Sequence, residues 1–375
     1  MRGGGVRSHL SQKSHVSCQL GHEARVIAPG PRDGPGRAGD AVDFVRGPPL
    51  PYDPTYHLLW RLDKVRERVT RERPDVLEIH SPYLAAVSAL SIPRSAFGVR
   101  TFVWHADFID TYLRDGLERR FGGPRVVDAV VEPLWAWVRT IARASDATFV
   151  ASRWQLGKLE AHGVPRLVHL PFGVEKATFR PEARDPALRA EILGGRRGPL
   201  VVAIGRFAVE KRWDVVFDAF ARWREPEAVL AVFGDGPERA ALEARSRGED
   251  VRFFGFERDR DRLARALASS DVLLHGCPHE TFGLGVAEAI ATGLPAVLPD
   301  KGGAAEQADP ASTELYASGD AAACAAALKR ITRRDPAGLR AAALAAAARV
   351  GSVEDHFRAL YGVYRDLLAR RGARG

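Results

Sequence analysis

The sequence predicts an α/β protein of two domains, each a parallel sheet wound with helices on both faces. Three observations predict it. Short apolar runs alternate with amphipathic stretches along almost the whole chain, the pattern of repeated strand-helix-strand units. That rhythm occurs twice, once on each side of a stretch rich in Pro, Gly and charge. The 375 residues also exceed what one hydrophobic core usually serves.

In the first half, EARVIAPG, PDVLEIHSP, RTFVWHAD, DATFVASR and RLVHLPFG each read as a buried strand running into a loop. PLVVAIGRF, AVLAVFGDG, VRFFGF, DVLLHGC and LPAVLPD repeat the pattern in the second half. Between the halves, Phe179 to Pro199 has the composition of a linker. Ala321 to Ala348 is expected to be helical. So is the last stretch, where Phe357, Leu360, Tyr364 and Leu367 fall at helical spacing. The expected domains are 1–180, completed by 353–375, and 195–350. The start breaks the pattern, because a strand should precede the glycine loop at Gly3 to Val6 and only Met1 and Arg2 stand there. A mis-assigned start codon or a shortened chain is the expectation.

Composition narrows the function. Hydrophobic residues at 46% and charged ones at 27% exclude a disordered or fibrous chain. Lys and Arg number 55 against 47 Asp and Glu, a net charge of +8 spread thinly along the chain. Without a dense basic stripe and interleaved aromatics, nucleic acid is not an expected partner. The mild excess suits a nucleotide diphosphate or an acidic membrane surface. Cys18, Cys277 and Cys324 lie far apart without metal-ligand spacing, which fits a reducing cytosol. There is no apolar run of the roughly 20 residues that span a bilayer, and no signal-peptide pattern. A cytoplasmic protein is expected, in at most peripheral contact with the inner face of a membrane.

Five stretches carry candidate chemistry. HETFGLGVAEA places Glu280 in a loop after a strand and Glu288 on the helix that follows. Amides of Phe282, Gly283 and Leu284 open that helix and suit a phosphate or sugar oxygen. Two carboxylates there can accept hydrogen bonds from vicinal hydroxyls; the alternative is a solvated helix carboxylate and a loop charge. In VVAIGRFAVEK, Gly205 permits a tight exit from a strand, and Arg206 and Lys211 suit a diphosphate. The amides of Gly4 and Gly5 could meet a phosphate, but a plain turn fits equally well. VWHADFIDTY delivers His105 and Asp107 to a strand end, where they could hold a hydroxyl and manage its proton, or be structural. Ser152 is placed to cap a helix ending near Gly163.

Taken in order, GGGV, GHEARVIAP, PDVLEIHSP, HLPFGVEKATFRP, GRFAVEK, FGDGPERAAL, HETFGLGVAEAIATGLPAV and KGGAAE resemble the family-4 retaining glycosyltransferases of GT-B architecture. The resemblance implies two Rossmann-like domains facing a cleft, with the last helix crossing back to the first. It implies Arg206 and Lys211 on the donor diphosphate, Glu280 on the sugar hydroxyls, and Glu288 on the nucleotide ribose. Gly205 and the amides of Phe282, Gly283 and Leu284 belong to the same donor pocket. Gly302, Gly303 and Glu306 shape it, Gly4 and Gly5 approach the phosphates, and His105 stands near the reacting centre with Asp107 beside it. No cofactor and no metal are implied; Asp259 to Asp261 reads as a charged surface loop.

The expected reaction moves a hexosyl group, mannosyl or glucosyl, from a UDP- or GDP-sugar to a glycan or lipid-linked hydroxyl with retention. Glu280→Ala and Lys211→Ala should each cripple transfer and leave the fold intact. The competing readings are a sugar-nucleotide epimerase or hydrolase on the same frame, and a degenerate nucleotide-sugar-binding protein.

Overall fold

The computed structural model describes residues 5–36, 41–50, 53–114, 117, 123–246 and 248–373. The chain forms two compact units, Met1–Pro171 with Val353–Gly375, and Phe172–Ser352.

In the first unit, β1 (Val26–Gly30), β2 (Gly34–Pro35) and β3 (Val42–Arg46) form one sheet in the order β1-β3-β2. β4 (Pro49–Leu50) and β5 (Asp53–His57) pair as a small antiparallel ribbon. β6 (Val76–Ile79), β7 (Val99–Trp104), β8 (Ala147–Val150) and β9 (Leu167–His169) form a parallel sheet in sequence order. A single continuous sheet was the expectation. Among the described residues no strand pairs with the second edge of β1 or of β6. Of the glycine segment, Gly3 and Gly4 lie outside the described residues. Gly5 opens a helix, Gly5–Gln19, rather than standing in a loop.

The last helix, Val353–Gly372, belongs to this unit. Its buried Val353, Phe357, Leu360 and Tyr364 form one core with Val16 of the first helix and Val103, Ala147 and Phe149 of the sheet. Each such large apolar side chain contributes about 1.5–3 kcal/mol by leaving water. Lys13 Nζ donates to Tyr364 Oη at 3.2 Å, tying the two helices at a polar point within that contact.

The second unit holds one six-stranded parallel sheet. Its strands are β10 (Leu200–Ile204), β11 (Val229–Phe233), β12 (Val251–Gly255), β13 (Val272–Leu274), β14 (Ala296–Pro299) and β15 (Thr313–Tyr316). They run in the order β12-β11-β10-β13-β14-β15. Every side chain of β11, β13 and β14 is buried, as expected of strands covered on both faces. The order reverses between β10 and β13, and at such a switch point the loops leaving the carboxyl ends open a crevice for ligands.

The segment expected as a linker is instead packed structure. Phe179 is fully buried, and Leu188, Ile192 and Leu193 enter the core of the second unit from the helix Pro186–Leu193. Asp185 caps that helix, its Oδ1 accepting from the amides of Ala187 at 2.9 Å and Leu188 at 3.0 Å, and Gly194 ends it in the left-handed region. An Asp-Pro start and a Gly stop are helix boundaries as much as linker residues, and the apolar spacing between them decides the matter.

Candidate functional site

In the second unit the loops leaving β10 and β13 meet at the switch point. β10 ends at Ile204, and the chain turns through Gly205 and Arg206 into a short 3₁₀ turn, Val209–Lys211. Trp213 Nε1 donates to the Arg206 carbonyl at 2.8 Å, which holds that loop against the helix Trp213–Trp223. β13 leads into His275, Cys277 and Glu280.

Lys211 Nζ donates to Glu280 Oε1 at 2.6 Å, with side-chain exposures of only 24% and 18%. Burial alone would neutralise both groups. The opposite charges override it, holding the Lys211 ammonium well above its usual range and the Glu280 carboxyl well below. His275 Nε2 lies 3.5 Å from the same Glu280 oxygen. Cys277, beside them, is buried, and that burial pushes its thiol up to about 12. It stays protonated at neutral pH. Arg206 is half-exposed and its Nη2 donates to Glu210 Oε1 at 2.6 Å.

The turn after β14 closes on the β13 loop. The Gly303 amide donates to the Glu280 carbonyl at 2.7 Å. A Cβ on Gly302 would stand 2.5 Å from the Pro278 carbonyl oxygen, and one on Gly303 equally close to that of Thr281. Gly302 also has φ +80°, so only glycine fits without moving the loop that carries Glu280. Gly283, at φ +85°, turns the chain into the helix Leu284–Ala291, and Gln307 Nε2 donates to the Phe282 carbonyl at 2.5 Å. The amides at that helix start point out of its N-terminal end. Glu306 follows the turn Gly302–Ala305.

Glu288, one turn into that helix, is 5% exposed, which removes the reading of a solvated helix carboxylate. Its Oε1 accepts from Arg260 Nη2 at 2.5 Å, and the Arg260 guanidinium lies 4.6 Å over the Phe179 ring. Burial nevertheless raises the Glu288 carboxyl above its usual range, against the pull of Arg260. Arg260 escaped the sequence reading. Asp259 to Asp261 is the capped start of the helix Arg260–Ser269 rather than a charged surface loop, with Asp259 Oδ1 accepting from the Asp261 amide at 3.0 Å.

The first unit carries His105 and Asp107 at the carboxyl end of β7, and their partners differ. Asp107 is buried and ion-paired with Lys158, whose ammonium also holds Asp110. His105 Nε2 lies 2.7 Å from His80 Nδ1, and His80 Nε2 lies 3.0 Å from Glu78 Oε2. Glu78 in turn pairs with Lys13. His9 and His356 pack beside this group, each 5.3 Å from its neighbour's ring centre. Glu78, His80 and Lys158 carried no signal at the sequence level beyond an E-x-H at a strand end and a Lys on a helix.

The fold is shared with solved structures of other proteins. Sucrose-phosphate synthase from Thermosynechococcus elongatus superposes with a TM-score of 0.76 at 19% identity, covering 98% of this chain and 94% of that one. Anabaena HepE in complex with UDP and glucose does so with a TM-score of 0.75 at 16% identity, covering 97% of each. The architecture these structures share with the chain is the GT-B fold. Sequence comparison is more specific: residues 3–177 match Glycosyltransferase Family 4 and residues 198–334 match Glycosyl transferases group 1. A GDP-mannose-dependent alpha-mannosyltransferase of Mycobacterium tuberculosis is 33% identical over 311 residues, 79% of this chain and 75% of that protein. A GDP-mannose-dependent alpha-(1-6)-phosphatidylinositol dimannoside mannosyltransferase of the same species is 31% identical over 301 residues, 79% of this chain and 76% of that protein. The chain belongs to the family-4, group 1 glycosyltransferases, enzymes that move a glycosyl group from a nucleotide sugar. The epimerase, hydrolase and non-catalytic readings lose their support. No helix among the described residues is long and apolar enough to cross a membrane.

Proposed function

We propose that this enzyme transfers a mannosyl group from GDP-mannose, with retention, to a hydroxyl of a lipid-linked glycan of the phosphatidylinositol type. The mannosyl donor and the lipid acceptor are supported by the names of the mycobacterial relatives at 31–33% identity. An α-linked product from an α-linked nucleotide donor is retention. Such an acceptor lies in a membrane, and a net charge of +8 suits an anionic surface.

The observation that carries the chemistry is the Lys211–Glu280 pair at the switch point. As the bond from the sugar carbon to the β-phosphate oxygen breaks, negative charge grows on the departing diphosphate. Lys211 and Arg206 meet it, together with the amides that open the helix Leu284–Ala291. Glu280, ionised by its contact with Lys211, is an acceptor for the donor's sugar hydroxyls. Glu288, held by Arg260, takes the ribose. Gly205, Gly302 and Gly303 let the loops approach the donor closely. On the first unit His105 meets a substrate hydroxyl. Asp107, already engaged by Lys158, acts by shaping the loop. The reaction needs no metal, since basic side chains and amides bear the leaving group's charge.

Donor choice is tested by thermal shift. GDP and GDP-mannose should raise the melting temperature in a concentration-dependent way, by mass action on the folded state. Stabilisation by UDP and UDP-glucose, with none from the guanosine nucleotides, overturns the donor assignment.

A further inference from the structure

We propose that Arg260 is a positioning residue for the donor: by engaging Glu288 Oε1 it leaves the second oxygen, Oε2, to the vicinal ribose hydroxyls, and so sets the enzyme's preference for a ribonucleotide over a deoxyribonucleotide. The proposal rests on the reading that Glu288 takes the ribose. It adds the residue on which that contact depends and the charge state the contact requires.

Glu288 is 5% exposed, too little for water to stabilise an ionised carboxylate as it does at a surface. Among the described residues its side chain accepts one hydrogen bond, from Arg260 Nη2 to Oε1 at 2.5 Å, and Oε2 accepts none. A buried carboxylate oxygen with no donor of its own is placed for a ligand that brings hydroxyls. Its two lone pairs match the two hydroxyls of a ribose.

That match requires the ionised form, because a protonated carboxyl offers a donor in place of one acceptor. Burial favours the neutral acid most strongly; the charge and hydrogen bond of Arg260 favour the carboxylate; the like charge of Glu175, in the turn after Val174, works against it. Arg340, on the helix Pro336–Arg349 packed against Leu284–Ala291, is turned instead to the Gly293 carbonyl at 2.7 Å. The ionised state of Glu288 therefore depends on Arg260. Arg260 is also held in place, its guanidinium 4.6 Å over the ring of Phe179, which is fully buried in the core of this unit. It opens the helix Arg260–Ser269, and a cation at that end stands against the helix dipole. Asp259 and Asp261 suit the helix start; Arg260 suits Glu288.

The test measures binding to the full-length enzyme by calorimetry between about pH 5.5 and about pH 8.5. The ligands are GDP, or UDP should the guanosine assignment fail, and the corresponding 2′,3′-dideoxy nucleotide. The wild type should bind the ribonucleotide about tenfold or more tighter than its dideoxy analogue. In Arg260→Met that preference should vanish at the acid end and return at the alkaline end, its midpoint displaced upward by about 1–3 pH units from the wild type. Comparing the two nucleotides at each pH cancels the titration of the phosphates. Arg260→Lys, which keeps the charge, should retain the wild-type profile. Glu288→Gln should bind both nucleotides alike at every pH, and adding Arg260→Met to it should change nothing further. An Arg260→Met enzyme with the wild-type preference at every pH overturns the proposal. A loss of preference that is the same at every pH also overturns it, since packing alone would then account for Arg260. A wild type that binds the two nucleotides equally sinks the reading of Glu288 on the ribose, and the proposal with it.

Discussion

At the residue scale the decisive feature is the ion pair Lys211–Glu280, because the contact that holds the two loops together is also the one proposed to meet the donor. The expectation that Glu280→Ala and Lys211→Ala leave the fold intact does not follow from a pair this buried. Removing one partner strands a charge, at a cost of about 3–5 kcal/mol. We predict that Lys211→Met and Glu280→Gln each lower both the melting temperature and kcat, whereas the double variant regains most of the stability and remains inactive. Recovery of turnover with recovery of stability would show that the pair is structural only. The residues of this pair were legible in the sequence, since each stands a fixed distance after an apolar run and a glycine. Their pairing was not, because the two residues are 69 positions apart in the chain and meet only once β10 and β13 become neighbours. Arg260 was hidden for the same reason: nothing local to Asp259–Asp261 reveals that Glu288 will lie 2.5 Å away.

At the element scale the two terminal helices of the first unit form one assembly around His9, His80, His105 and His356. Phe357, Leu360 and Tyr364 were visible as a helical stripe, and their burial follows from it. Strands with long apolar runs, such as Val229–Phe233, were visible in the sequence; β3 and β15, short and carrying Asp43 and Glu314, were not. The buried histidines make this assembly sensitive to acid. Burial lowers His356 to about 4 from a usual 6.5, against the hydrogen bond of its Nδ1 with the Pro171 carbonyl, and His9 and His105 are lowered as well. The unfolded chain therefore binds more protons between these values, so the stability is full above about 6.5 and is lost as the pH falls toward 4. The melting temperature should fall across that window, and fall less steeply in His356→Asn, whose amide keeps a donor for the carbonyl. A flat profile from pH 6.5 to 4.5 would contradict the assignment of neutral buried histidines.

At the scale of the whole molecule, the chain divides into a unit with a six-stranded sheet carrying Lys211, Glu280 and Glu288 and a unit carrying the histidine group. The repeated rhythm of apolar runs announced the two units. Their boundaries lie in segments where composition misleads, for the charged stretch after Phe179 folds into the second unit. The central claim, mannosyl transfer from GDP-mannose to a lipid-linked hydroxyl, has a direct measurement. The purified enzyme is incubated with radiolabelled GDP-mannose or UDP-glucose and phosphatidylinositol mannoside vesicles, and label in the organic phase is counted with and without Lys211→Met/Glu280→Gln. The account predicts label from GDP-mannose, in α linkage, with the native enzyme alone. Label arriving only from UDP-glucose, or equally with the double variant, would contradict it.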